Sequence, residues 1–312
     1  MKLKKALEEF ATCRVLIYGL TGTGKTTLAA SLARKYRLIW VDLENALDTL
    51  VKLPDAWKDN IDVIRIPDST AFPIAAQTLQ DLFKNLKGKI CEKHGVINCS
   101  GCLVNKAEFT ELDLTNLDPK KDILVLDSLT QLGCSFLSNL MRNQPLDAKP
   151  ERDDWGGLRK NTEFFGSSIQ RLPCNFVATA LCTETSQEDN STRLVPTFGS
   201  KDMGANIPAK FSTLIYTEVK NKVHKAYSSS TASNMFLAKA RSGVCLEELE
   251  EPDLVPLFDF LLEGTPMPAP IVAKIAKPAT PVQRTANLLN AAKSEVSTGS
   301  TPLKINPLTP KS

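Results

Sequence analysis

The stretch Gly19-Leu20-Thr21-Gly22-Thr23-Gly24-Lys25-Thr26 constrains this chain more than any other feature. It follows an apolar run, Arg14-Val15-Leu16-Ile17-Tyr18, and precedes a helix-forming segment, Thr27-Leu28-Ala29-Ala30-Ser31-Leu32-Ala33. Strand, glycine-rich loop and helix in that order are the context a phosphate-binding loop requires. The glycines let the backbone curl so that several N–H groups converge on one anion, and the helix N-terminus adds partial positive charge. This predicts that residues 19 and 21–27, among them Gly19, Thr21, Gly22, Thr23, Gly24 and Thr27, cradle the phosphates of ATP. Lys25 reaches the β and γ phosphates, and the Thr26 hydroxyl sits on Mg²⁺. The simpler alternative is a glycine-rich turn.

Such a loop needs a large α/β body around it, and 312 residues supply one. Leu38-Ile39-Trp40-Val41, Val63-Ile64-Arg65-Ile66, Ile123-Leu124-Val125-Leu126 and 176–181 read as buried strands. Helical patterns fall at 25–36, 71–86, 128–142 and 157–171, with Ile74, Leu79, Leu82, Phe83 and Leu86 mostly on one face. Alternating strands and helices predict a mainly parallel twisted sheet covered on both sides. The runs 211–216 and 234–238 have little helix between them and suit an antiparallel extension at one edge. We read 1–263 as the ATPase domain, opening on a short amphipathic helix at 1–10. Residues 264–312 carry Pro266, Pro268, Pro270, Pro278 and Pro281 and a single acid, Glu295; their composition predicts a disordered tail. Residues 282–293 within it suit a short helix for docking a partner; a tail with no specific role is the other reading.

Hydrolysis needs more than a phosphate loop. Asp127 ends the strand Ile123–Leu126, on the ligand-binding edge of a parallel sheet, where it can hold the Mg²⁺ shell; capping the next helix, together with Ser128, is the other reading. Glu44 follows the strand Leu38–Val41 and can polarise an attacking water, with Asp42 as a second candidate; an exposed acidic loop is the other reading. Lys239 and Arg241 alternate at the end of a late strand and can stabilise charge on the γ-phosphate, across a subunit interface, or form a solvated basic turn.

Cys91, His94, Cys99 and Cys102 have the spacing C-x₂-H-x₄-C-x₂-C in one insert, about 88–106. Two close pairs of soft or borderline ligands suit structural Zn²⁺; loose thiols or two disulfides are the alternatives. Gly95 and Gly101 would ease the turns around the metal. Cys13, Cys134, Cys174, Cys182 and Cys245 lack such spacing and read as small core residues. Eight cysteines and a charged N-terminus without a signal-peptide core place the chain in a reducing, cytoplasmic compartment. No apolar run is long enough for a membrane span.

Net charge is only +3, so any nucleic-acid surface is local. Segment 142–160 carries Arg142, Lys149, Arg152, Trp155, Arg159 and Lys160, and 184–210 carries Arg193, Phe198, Lys201 and Lys210. Aromatic rings for base stacking and cations for phosphates suit single-stranded DNA, although acids are interleaved and mobile, solvated loops are the other reading. Two nucleotide-using classes fit poorly. Asn221-Lys222-Val223-His224 lacks the aspartate that reads guanine in GTPases, and the arginine-rich lid of a small-molecule kinase is not apparent.

Ile39-Trp40-Val41-Asp42-Leu43-Glu44-Asn45-Ala46-Leu47-Asp48 resembles the RecA segment that carries the catalytic glutamate. Ile66-Pro67-Asp68-Ser69-Thr70 before a helix and Leu124-Val125-Leu126-Asp127-Ser128 are also of RecA type, and Lys239-Ala240-Arg241 resembles the Lys-x-Arg finger of DnaB-like helicases. Overall spacing, with the insert and Asp154-Trp155-Gly156, looks most like phage-encoded RecA-like ATPases, some of which are single-strand annealing recombinases. The resemblance covers about 12–245. It implies a RecA-like P-loop ATPase acting on single-stranded DNA in recombination or annealing, a homo-oligomer (ring or filament) and the cytoplasm of a bacterial host. A single-strand-binding or replication protein would meet the tail. The alternatives are a helicase or helicase-loader motor and a non-enzymatic nucleotide-binding scaffold. The chain departs from RecA after the fifth strand, where Ala180-Leu181-Cys182-Thr183-Glu184 has no γ-phosphate-sensing glutamine before Gln187, and it lacks an evident N-terminal polymerisation arm.

Overall fold

A computed structural model describes Lys2 and residues 12–145, 147–186, 192–230, 235–240 and 253–263. The N-terminal segment 1–10 (Lys2 apart), Arg241 and the tail 264–312 therefore lie outside the described residues.

The strands are β1 (Arg14–Gly19), β2 (Arg37–Asp42), β3 (Ile61–Arg65), β4 (Lys87–Cys91), β5 (Phe109–Asp113), β6 (Asp122–Asp127), β7 (Asn175–Ser186), β8 (Thr192–Pro196), β9 (Thr213–Lys220), β10 (Val223–Tyr227) and β11 (Lys239–Ala240). The α-helices are α1 (Lys25–Ala30), α2 (Asp55–Lys58), α3 (Ile74–Asn85), α4 (Ser100–Val104), α5 (Leu129–Met141), α6 (Arg152–Arg171), α7 (Lys201–Asn206) and α8 (Val255–Glu263). The main sheet runs β10-β9-β1-β7-β6-β2-β3, with β11 on β9 and β8 on β7. From β9 to β3 every pairing along that order is parallel, while β10, β11 and β8 join antiparallel. The fold is thus α/β, with a mostly parallel sheet between helices, as P-loop nucleotide-binding proteins require.

Both sheet faces are buried, and the strand period of two divides them. Leu16 and Tyr18 of β1 join Leu79, Leu82 and Phe83 of α3, Phe136 of α5 and Phe165 of α6 on one side. Val15 and Ile17 join Leu28, Tyr36, Trp40 and the α8 residues Leu257 and Phe258 on the other.

Three elements differ from the periodicity. The helix expected over 25–36 is α-helical only to Ala30 and tightens to a 3₁₀ turn over Ser31–Arg34. Helix α6 starts at Arg152 rather than 157, because Glu151 and Asp154 form a capping box, with Glu151 N donating to Asp154 Oδ2 at 2.9 Å. Its glycines are no break: a Cβ on Gly157 would stand 3.0 Å from Leu140 Cδ2, so the glycine lets α5 and α6 approach. The described part of the strand expected over 234–238, residues 235–238, forms no strand, and β11 follows at 239–240. Phe236 instead stacks on Tyr216, centroids 4.4 Å apart, and makes one bridge to Leu194.

The segment between α3 and β6 holds a separate two-stranded antiparallel sheet, β4–β5, with α4 between its strands. No described helix is long and apolar enough to cross a membrane.

Candidate nucleotide site and metal cluster

The phosphate loop joins β1 to α1 at the C-terminal edge of the parallel strands. Gly22 (φ 75°) and Gly24 (φ 87°) occupy the left-handed region that glycine tolerates best. A Cβ on Gly19 would lie 2.2 Å from the Thr217 carbonyl oxygen, so only glycine lets β9 pass this close. Thr23 is buried and shares a 2.8 Å hydrogen bond with the Thr217 hydroxyl, which fastens the loop to β9. Thr21 and Thr27 are exposed at either side of the turn. Lys25 Nζ donates to the Leu20 carbonyl at 2.8 Å. Burial lowers the Lys25 pKa, and the nearby Glu44 and Asp127 carboxylates oppose that shift.

The acids assemble because β2 and β6 are neighbours in register, Asp42 opposite Asp127. Asp127 is 3% exposed. It accepts from Thr26 Oγ1 at 3.1 Å on Oδ2 and from the Thr179 hydroxyl on Oδ1. Burial pushes its pKa up to about 6, with the Glu44 and Asp42 charges adding and the two hydroxyls opposing. Asp127 is not the cap of α5. Ser128 is, accepting from Gln131 N at 3.3 Å, and its hydroxyl also donates to Glu44 Oε1. Glu44 is exposed at the mouth of the site. Asp42 is buried, and its Oδ1 accepts from Glu44 N (3.1 Å) and Ala46 N (3.4 Å), shaping the loop that carries Glu44. Its Oδ2 is buried without a hydrogen-bond partner, and burial raises its pKa.

Thr26 Oγ1 and Asp127 Oδ2 are a hard, all-oxygen pair of the kind Mg²⁺ prefers, one on the phosphate loop and one across the sheet. The sequence pattern singled out Thr26, Asp127 and Glu44 but not Thr179 or Thr217, which have no local signature. Lys239 sits at the other end of β9, opposite Leu214, where its Nζ donates to the Pro208 carbonyl; it does not reach the phosphate loop of its own chain. Arg241 lies outside the described residues.

Cys91 (end of β4), His94 (the following turn), Cys99 (N-cap of α4) and Cys102 (within α4) converge, all four ligand atoms lying within 4.8 Å of one another. His94 Nδ1 stands 3.7, 3.6 and 3.2 Å from the sulfurs of Cys91, Cys99 and Cys102, and the Cys91 and Cys102 sulfurs are 3.1 Å apart. A tetrahedron with Zn–S of about 2.3 Å and Zn–N of about 2.0 Å has edges of roughly 3.5–3.8 Å, so the donor set fits zinc with little adjustment. Gly95 makes the turn (φ 68°), and a Cβ there would meet Ile66 Cα at 2.7 Å. Gly101 has no such role: it lies in α4 with open space where a Cβ would point. None of the described cysteines forms a disulfide. Cys13 and Cys174 are buried as expected, Cys182 is half-buried, and Cys134 is exposed rather than in the core; Cys245 lies outside the described residues.

The two segments proposed to touch DNA fare differently. Arg142, Lys149, Arg152, Trp155, Arg159 and Lys160 are all exposed, though 152–160 is helix rather than loop. In the other segment Phe198 is fully buried, its ring packed 6.2 Å from Phe136 and 5.9 Å from Phe165, so it offers no face to a base. Arg193 is half-buried, and Lys210 donates to Gln170 Oε1 at 3.3 Å.

No curated protein matches the chain. A family model described as an AAA domain matches residues 11–242, well over half of the sequence, and that span takes in the phosphate loop, Glu44 and Asp127. The chain therefore belongs to the AAA domain family, and its site is of the P-loop ATPase type that binds and hydrolyses nucleotide.

Proposed function

We propose that this protein couples ATP hydrolysis to action on single-stranded DNA, in recombination or strand annealing of the phage RecA-like type. The observation that carries the hydrolytic part is the Ser128–Glu44 hydrogen bond, which holds a carboxylate beside the Thr26–Asp127 pair. Lys25 and the loop N–H groups bind the polyphosphate; Thr26 and Asp127 would hold Mg²⁺, which would neutralise charge on the phosphate oxygens. Glu44 orients the attacking water and takes its proton as the water oxygen bonds to the γ-phosphorus and the bond to the β-phosphate oxygen breaks. The hydrogen bonds that Asp42 Oδ1 accepts from the Glu44 and Ala46 backbone N–H groups favour Asp42 as a support for that loop rather than a second base.

The DNA part rests on the exposed Trp155, with Arg159 one turn further along α6 and paired there with Glu163 at 2.9 Å, and on the resemblance to RecA. A homo-oligomer is proposed, with Lys239 and Arg241 serving a neighbouring site; the pairing of Lys239 with Leu214, away from the Thr217 end of β9 that meets the phosphate loop, favours action across an interface over action within one chain. The tail 264–312 is proposed as the docking segment for a single-strand-binding or replication protein. Cys91, His94, Cys99 and Cys102 are proposed to hold one structural Zn²⁺ that closes the β4–β5 insert. Elemental analysis of protein purified without chelators should find about one zinc per chain; metal-free, folded protein would refute that assignment.

The deciding assay is ATP turnover with and without single-stranded DNA. Stimulation supports the proposal. Turnover indifferent to DNA removes the recombinase reading, and binding without turnover leaves a nucleotide-dependent scaffold. Unwinding of a forked duplex, rather than annealing of complementary strands, would favour a helicase motor on the same core.

A further inference from the structure

The strand order β9-β1-β7-β6 puts the acids and the β9–β10 hairpin on opposite sides of the phosphate loop. Asp127 and Glu44 stand at the ends of β6 and after β2. On the other side β9 pairs with β1 only as far as Thr217, opposite Gly19, and runs on to Lys220 before turning back through Asn221 and Lys222. The hairpin therefore overhangs the sheet edge by three residues, about 10 Å. It is fixed to the loop at two points. One is the buried Thr23–Thr217 hydroxyl pair, at 2.8 Å. The other is His224, opposite Val219, whose imidazole lies over Gly24: a Cβ there would come within 3.0 Å of Nδ1 and 3.6 Å of Cε1. His224 is exposed, so this ring presents a face beside the loop rather than filling a core.

Hydrolysis requires the γ-phosphate end of ATP to face Glu44 and Asp127. The polyphosphate then runs along the loop, and the nucleoside leaves it on the side away from the acids. We propose that the β9–β10 hairpin is the nucleoside wall of the site and that His224 is its contact residue, packing its imidazole against the base and ribose. This deepens the ATP-site reading above and rests on it. Such a contact is made equally in the ground and transition states, so it sets nucleotide affinity and not the rate of the chemical step.

The test is calorimetric titration of Mg·ADP and of inorganic tripolyphosphate, which has no nucleoside, into wild type, His224→Ala, His224→Phe and Lys25→Ala. His224→Ala should weaken ADP binding about tenfold, within the range for losing one base–aromatic contact, while tripolyphosphate affinity stays unchanged. His224→Phe, which keeps a flat ring, should retain most of the ADP affinity. Lys25→Ala should weaken both ligands. Unchanged ADP affinity in His224→Ala, or an equal loss for ADP and tripolyphosphate at unchanged melting temperature, overturns the inference while leaving the ATP site intact. Undiminished binding of both ligands by Lys25→Ala overturns the ATP-site reading itself, whatever His224 does.

Discussion

Asp127→Asn should make the nucleotide-free protein more stable and catalytically dead. In the absence of Mg²⁺ the Asp127 carboxylate is buried beside two other acids, and its pKa rises from 3.8 to about 6. Below pH 4 the group is protonated in both native and unfolded chains and contributes nothing. Between pH 4 and pH 6 the unfolded chain releases a proton that the native chain retains, so stability falls as pH rises. Above the native pKa the loss is complete: two pK units at 1.36 kcal/mol each, about 3 kcal/mol. Asparagine keeps an oxygen for the Thr179 hydroxyl, and the Thr26 hydroxyl can turn to accept from the new amide, so little is lost in exchange. At roughly 2–4 °C per kcal/mol for a domain of this size, the variant should melt about 6–12 °C above wild type at pH 7.5 in EDTA. The gap should close toward pH 4. Differential scanning calorimetry across that range reads both. A gap that does not change with pH, or an asparagine variant less stable at pH 7.5, would refute the buried-charge argument.

Ser128→Ala should slow hydrolysis about tenfold or more at unchanged ATP affinity, since Glu44 loses its anchor, and should cost about 1 kcal/mol through the lost cap of α5. Phe198→Ala should destabilise the fold by about 3–5 kcal/mol in chemical denaturation, because the ring is fully buried between α5 and α6; a surface ring for DNA would instead leave stability untouched. Arg241→Ala alone should lower ATP hydrolysis far more than binding, and mixing it with Lys25→Ala subunits should restore turnover if the finger acts across an interface. Co-assembly without recovery would contradict a role in trans.

The parts of this architecture with local causes could be read from the residues. Glycine spacing and flanking apolar runs located the phosphate loop. A carboxylate at the end of a wholly apolar run located Asp127, and ligand spacing alone located the cysteine cluster. Features set by distant partners could not be read. Thr217 meets Thr23 across 194 positions of sequence, and Thr179 meets Asp127 across 52, so no short-range pattern marks either hydroxyl. Phe198 follows Thr197 and precedes Gly199 and Ser200, and nothing in that local pattern separates a stacking ring from a core one; the packing of α5 against α6 buries it. The start of α6 was hidden because its box uses Glu151 and Asp154, with glycines in the next turn that argue against helix until Leu140 is seen beside them.

The most direct test of the central claim follows phosphate release and nucleotide binding together in wild type and Glu44→Gln. The amide cannot take a proton from water, so Glu44→Gln should bind Mg·ATP with wild-type affinity and release phosphate at least about 10²-fold more slowly. Wild-type turnover by the folded Gln variant, or loss of binding in step with loss of turnover, would contradict the assignment of Glu44 as the base of an ATP-hydrolysing site.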